Sequence, residues 1–135
     1  MADRETVRKL IEQAYAARAS GDINGVMAAF HANGAFELAG AKTALALAGA
    51  VEGHSGVREA LTGFIANFEF IKRDIVSMII DGDRAAVHSR LEMRFVPTNK
   101  TFTTELVDVF KIQDGKIREL VEFADTALIK EITSA

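Results

Sequence analysis

Cysteine is absent from this 135-residue chain. Disulfides, thiolate metal sites and cysteine nucleophiles are therefore excluded together, while the redox compartment stays undetermined. Histidine is scarce, and His31, His54 and His88 lie far apart in sequence, which is no metal-ligand spacing. Basic residues are not in excess: 16 lysines and arginines stand against 19 acids, a formal charge of −3. Binding to a phosphate backbone is not expected from that balance. Long apolar runs are missing too. The longest, Ala44–Val51, falls far short of the roughly 20 residues of a membrane span. The charged stretch from Met1 to Leu10 has no apolar centre, so it does not read as a secretory signal. The expectation is a cytoplasmic protein with no metal, no cofactor, no nucleic acid and no membrane partner.

What remains is ordinary for a globular chain, with 49% hydrophobic and 26% charged residues. The length suits one domain over residues 1–135, burying roughly two thirds of its unfolded surface without staples. Val7, Leu10, Ile11, Ala14 and Tyr15 recur at helical spacing, predicting an amphipathic helix over about 3–19. Ser20-Gly21-Asp22 ends it. Asp22 then caps a short helix with Ile23, Val26, Met27 and Phe30 on one face. Asn33-Gly34 reads as a turn and Ala35–Leu38 as a short strand. Residues 39–53, rich in alanine and glycine, read as a mobile flap with one helical turn at most. Ser55 caps a third helix that buries Val57, Leu61, Phe64, Ile65 and Phe68.

The second half alternates at strand period. Ile71–Ile80, Ala85–Val96, Thr101–Ile112 and Lys116 to about Ala127 are four long strands. Asp81-Gly82-Asp83, Pro97-Thr98-Asn99-Lys100 and Asp114-Gly115 are the turns between them. Three helices before a meander of antiparallel strands give an α+β fold, with helices on one face of a curved sheet.

One residue stands out. Every second position of Thr101–Ile112 puts Thr104, Leu106, Asp108, Phe110 and Ile112 on one face. A carboxylate on an otherwise apolar face must find partners or stay protonated, and such groups mark functional sites more often than surface acids do. Asp108 therefore points to a small-molecule pocket. In Ala85–Val96 two facings stay open. Either the polar row His88, Arg90, Glu92, Arg94 faces solvent, or it enters a wet pocket while Val87, Leu91, Met93 and Phe95 form a contact surface.

Three segments carry a family resemblance. Ser20-Gly21-Asp22 precedes Phe30. Gly53-His54-Ser55-Gly56-Val57-Arg58-Glu59-Ala60-Leu61 opens the third helix. Pro97-Thr98-Asn99-Lys100 is followed by Val107-Asp108-Val109-Phe110, by Asp114-Gly115-Lys116-Ile117 and by Asp125. In this order the chain resembles the nuclear transport factor 2-like superfamily, and most closely its SnoaL-like branch of polyketide cyclases and ketosteroid isomerase relatives. The resemblance implies a cone-shaped, mostly antiparallel (mixed) sheet wrapped around helices, a pocket for a hydrophobic small molecule, and a homodimer through the outer sheet face.

It also implies site residues. Asp108 falls where ketosteroid isomerase carries an acid kept neutral by an apolar site. The base position of that enzyme is Leu38 here, with Glu37 beside it. Its helix-1 tyrosine position is Ala14, and Tyr15 is one residue, about 100°, away on a helix. Comparison with limonene epoxide hydrolase aligns Asp125, Arg90 and Glu92 with that enzyme's Asp–Arg–Asp set, but puts Phe36 and Leu38 where its water is held. The expected catalytic residues are thus Asp108, Glu92 and Arg90. Tyr15, Phe36, Leu38, Phe64, Phe68, His88, Phe110, Phe123 and Asp125 are expected to line the ligand site. An isomerase, lyase or hydrolase acting by acid–base chemistry and a non-catalytic ligand-binding or dimerisation module both remain open.

Overall fold

The computed structural model describes residues 3–134. Helix α1, Arg4–Ala19, begins at Asp3, whose side chain accepts the Glu5 amide N–H, and it buries Val7, Ile11 and Ala14 along one stripe. Asp22 caps α2, Ile23–Ala28, by accepting from the Gly25 amide. The chain enters β1 at once, Phe30–Leu38. This is earlier than the turn expected at Asn33-Gly34, because that dipeptide forms an irregularity inside the strand between Phe30 and Ala35. The expected flap is partly ordered structure. Leu45 and Ala48 are buried, and β2, Gly49–Glu52, pairs antiparallel with β1.

Helix α3, His54–Asn67, starts one residue before the expected Ser55 cap. Gly53, with φ of 81°, occupies the cap position and no side chain satisfies it. Strands β3 (Phe68–Asp81), β4 (Arg84–Phe95), β5 (Lys100–Gln113) and β6 (Lys116–Ala124) form the expected meander. Asp114 and Gly115 both take positive φ, 54° and 71°, the backbone of a two-residue hairpin loop. The sheet order is β2-β1-β6-β5-β4-β3, and only β1 against β6 is parallel. This is a curved mixed sheet with α1 and α3 on its inner face, the α+β architecture expected.

The facing of β4 is settled by burial. Val87, Leu91 and Met93 are buried inside, whereas Arg90 and Glu92 are exposed and His88 is half-exposed. The apolar row is therefore core and leaves no Val87–Phe95 contact surface. The chain also ends differently from expectation. The fourth long strand stops at Ala124, and Thr126–Thr133 forms a helix, α4, whose N-cap Asp125 accepts the Leu128 amide. No helix among the described residues is long and apolar enough to cross a membrane.

The cap role of Asp125 predicts a modest, local defect. Asp125→Ala should cost about 1 kcal/mol, a fall of roughly 4 °C in a thermal melt of a domain this size. The amide signals of α4 should lose protection in hydrogen exchange while those of β5 keep theirs.

Candidate functional site

The pleat of β5 carries the site. With Leu106, Phe110 and Ile112 buried toward the helices, Asp108 has no choice of direction, and it is 1% exposed. Its cross-strand neighbours share its face: Val87 on β4 and Glu122 on β6, with Leu38 of β1 next in the row beside Glu122. Two acids on adjacent strands of one face have Cβ atoms about 5 Å apart.

Around this row lies a cavity of about 100 Å³ under α1, lined by Tyr15, Arg18, Arg73, Asp108 and Glu122 and by an apolar wall that includes Phe36, Leu38, Phe64, Phe68 and Phe110. The Tyr15 hydroxyl donates to Asp108 Oδ2 at 2.6 Å. The Arg73 guanidinium is 3.9 Å from the same oxygen and lies 3.6 Å over the Tyr15 ring. Arg18 donates to the carbonyl of Phe68 at 2.7 Å and lies 4.0 Å over the Phe70 ring. Asp108 Oδ1, Thr104 Oγ1, and Nε and Nη1 of Arg73 are buried without a hydrogen-bond partner.

The electrostatics follow from the burial. Burial first, and the charge of Asp108 second, push the Glu122 carboxyl well above the usual range, against the pull of Arg73 and Arg18. The protonated form of Glu122, a hydrogen-bond donor, is thereby favoured over the charged one. Burial, then the Asp108 charge, raises the Tyr15 hydroxyl, so it stays a neutral donor. Burial lowers Arg18 to about 10, which leaves it charged at neutral pH.

Of the residues expected from sequence, the cavity brings together Asp108, Tyr15, Phe36, Leu38, Phe64, Phe68 and Phe110. The others lie elsewhere. Arg90 and Glu92 sit on the outer sheet face, where Arg90 is 3.7 Å from Glu105. His88 pairs with Glu105 at 2.7 Å on that same face. Phe123 is 53% exposed, and Asp125 is engaged as a helix cap. Their strand phase turns them outward, and a pleat admits no second option without a slip of register. Ala14, at the tyrosine position, and Tyr15 both line the cavity, so the one-residue offset does not keep the tyrosine from the acid.

Three charged cavity residues were not foreseen: Glu122, Arg73 and Arg18. Arg73 lies in the charged run Lys72-Arg73-Asp74, which reads as solvent-facing, and β3 is irregular on both sides of it, after Phe70 and after Ile75. Glu122 sits after a slip in β6 at which Ile112 faces Ile117 but Lys111 faces Glu119. That slip moves the inward phase from odd to even positions. The available signal was Ala124 after Glu122, a small apolar residue two positions on.

A wider cleft of about 730 Å³ opens between residues 42–51, α3 and α4, and contains neither Asp108 nor Glu122. Phe36, Phe64 and Phe68 line both spaces. Their rings, packed edge-on and tilted with centroids 5.9 and 6.3 Å apart, form the wall between them. No cluster of potential metal ligands occurs among the described residues.

No curated protein sequence matches the chain significantly. Solved structures match over nearly its whole length. A putative isomerase from Bacillus subtilis superposes with a TM-score of 0.87 at 13% identity, covering 98% of this chain and 95% of that one. TerC, co-crystallised with polyporic acid, superposes with a TM-score of 0.82 at 22% identity, covering 96% and 99%. An LEH-like epoxide hydrolase from M. tuberculosis superposes with a TM-score of 0.72 at 17% identity, covering 91% and 85%. At such identities the likeness is one of fold. The model of the SnoaL-like domain matches residues 11–120, so the chain belongs to the SnoaL-like domain family.

Proposed function

We propose that the protein is an acid–base enzyme acting on a hydrophobic small molecule held in the inner cavity, with Asp108 as base and Glu122 as acid. The observation that carries this reading is the pair of acids side by side on one apolar sheet face, one bonded to Tyr15 and the other pushed toward its protonated form. Two carboxyl groups within reach of one substrate, one of them favoured in its acid form, offer the division of labour that proton transfer needs. An apolar wall with a few convergent polar groups is also the usual make-up of a ligand site.

The chemistry that fits is proton abstraction next to a carbonyl. Asp108 takes the proton from carbon, and Glu122 gives its proton to the carbonyl oxygen. Tyr15, held by its bond to Asp108, fixes the orientation of the base. The enol so formed can be reprotonated elsewhere, an isomerisation, or attack a second carbonyl, a cyclisation. Arg90 and Glu92, exposed on the far face, take no part.

The outer sheet face supports a further element of this reading. Two adjacent cross-strand rows, Ile79–Ala86–Val109–Val121 and Val107–Phe123, make an apolar strip, with Ile79 66% and Phe123 53% exposed. Ion pairs flank it on both sides, His88 with Glu105 and Lys111 with Glu119. We infer that a second copy of the chain covers this strip across a two-fold axis, which would match each mixed-charge flank to itself.

Three outcomes are expected. In D₂O, a panel of aryl ketones should gain deuterium next to the carbonyl in the presence of the protein. Asp108→Asn, with an unchanged circular dichroism spectrum, should slow this by roughly 100-fold or more. Exchange no faster than in buffer for every ketone would leave a non-catalytic binding module of the same fold. Stability should depend on pH through Glu122. Its folded pKa lies above the ordinary 4.5, so its contribution is complete below pH 4.5 and is lost as pH rises through the folded value. Glu122→Gln should flatten that fall in chemical denaturation, and an identical slope in the variant would refute the assignment. Sedimentation equilibrium should give a dimer for the wild type and a monomer for Phe123→Lys, and a monomeric wild type would exclude the two-fold contact.

A further inference from the structure

The inner cavity holds two guanidiniums beside two carboxyl groups. From α1 come Arg18 and Tyr15, from β3 comes Arg73, from β5 Asp108 and from β6 Glu122. The cavity-lining residues of β1, β4, α2, α3 and α4 carry no ionisable group. Burial pushes the Glu122 carboxyl well above the usual range, which disfavours its charged form. The guanidiniums stand in a space walled by phenylalanine and leucine, where charge is poorly solvated and its field is strong.

The two arginines are not equivalent. Arg18 is already engaged by the carbonyls of Phe64 and Phe68. Arg73, with its side chain 11% exposed, has nothing within hydrogen-bond distance of Nε or Nη1, and its nearest carboxylate oxygen is 3.9 Å away. Stacking on Tyr15 and Phe70 holds its plane while leaving its N–H edges free. Thr104 lies in the same cross-strand row as Arg73, through Leu91, and its buried hydroxyl is also unpartnered. Buried donors without acceptors cost on the order of 1–3 kcal/mol each, more when charged. Free donors on a buried guanidinium make a place for an anionic oxygen.

We propose that the cavity takes an apolar monoanion, a carboxylate or an acidic enol, whose charged oxygen is held by Arg73 with Thr104 beside it. This rests on the reading of the cavity as the site of acid–base chemistry and names the class of molecule that enters it. The anion would sit at the β3 side of the cavity, leaving the Asp108–Glu122 pair free to act on a carbon or carbonyl further along the same molecule.

Benzoate and its uncharged isostere benzamide separate charge from shape. In titrations followed by NMR, benzoate should bind about tenfold tighter than benzamide, the difference between a charge-assisted and a neutral hydrogen bond. The Arg73 Nε–H signal should move with benzoate. Arg73→Met should abolish the preference and Arg73→Lys should keep part of it. Should Arg73→Met fail to fold, raising the pH on the wild type serves instead. Raising the pH favours the charged form of Glu122 and adds negative charge to the cavity, so benzoate should weaken while benzamide does not. Equal affinity for the two compounds, or no binding of either, would overturn the proposal. The ketone exchange measurement reads the chemistry separately, so exchange without benzoate preference would leave the acid–base reading standing.

Discussion

The site depends on the placement of two carboxyl groups side by side on an apolar sheet face. The pleat of β5 gives Asp108 the same inward direction as Phe110, and the register with β6 brings Glu122 next to it. Neither acid can retreat to water without shifting a whole strand by one residue and turning its apolar neighbours outward. The fold therefore holds both acids in place, and the surroundings respond. Tyr15 bonds one of them, the other is pushed toward its protonated form, and two arginines stack on aromatic rings close by. Replacing such a group with an apolar residue is often neutral for stability or better. Their presence on an apolar face therefore argues for use rather than for support.

The aromatic residues do two jobs at once. Phe64 and Phe68 pack α3 and β3 into the core, and with Phe36 they also divide the inner cavity from the wider cleft beside residues 42–51. This keeps the acids in a low-dielectric space, where the Asp108 charge is felt strongly by Glu122. The same wall accounts for the direction of all three resolved shifts in the cavity. Burial is the largest cause for Tyr15, Arg18 and Glu122 alike, and the neighbouring charges only modulate it.

Much of this was legible in the sequence wherever period and pleat stay regular. The α1 stripe, the hairpin turns and the inward row of β5 follow from spacing alone, and Asp108 with them. Legibility failed where a strand changes phase. Beyond the slip in β6 the even positions face inward, so Glu122 looks like a surface acid and Phe123 like core, the reverse of their places. Irregular pairing hides Arg73 in a charged run in the same way. For β4 the sequence left two facings open, and Arg90, Glu92 and His88 entered the expected site through the one that burial excludes. Asp125 was misplaced for another reason. The strand propensity of Leu120–Phe123 gives no sign that a helix begins three residues later, although an aspartate ahead of Thr-Ala-Leu is itself a cap signal.

The departures from the isomerase pattern are also smaller than they look residue by residue. Leu38 stands at the position where that enzyme's base would be, and a leucine cannot move a proton. Yet Leu38 pairs directly with Glu122 across the parallel β1–β6 contact, and Glu122 pairs with Asp108. An ionisable group thus lies one strand away from the empty position, about 4.8 Å along the same row. A sheet face offers every inward position of every strand to the same cavity. An acid lost from one strand can therefore be replaced from its neighbour with little change in where the proton is needed. Tyr15 beside Ala14 repeats the pattern on the helix, where adjacent positions of α1 both reach the cavity. Likeness in such a fold is better judged by which groups share the cavity than by which residue occupies which aligned position.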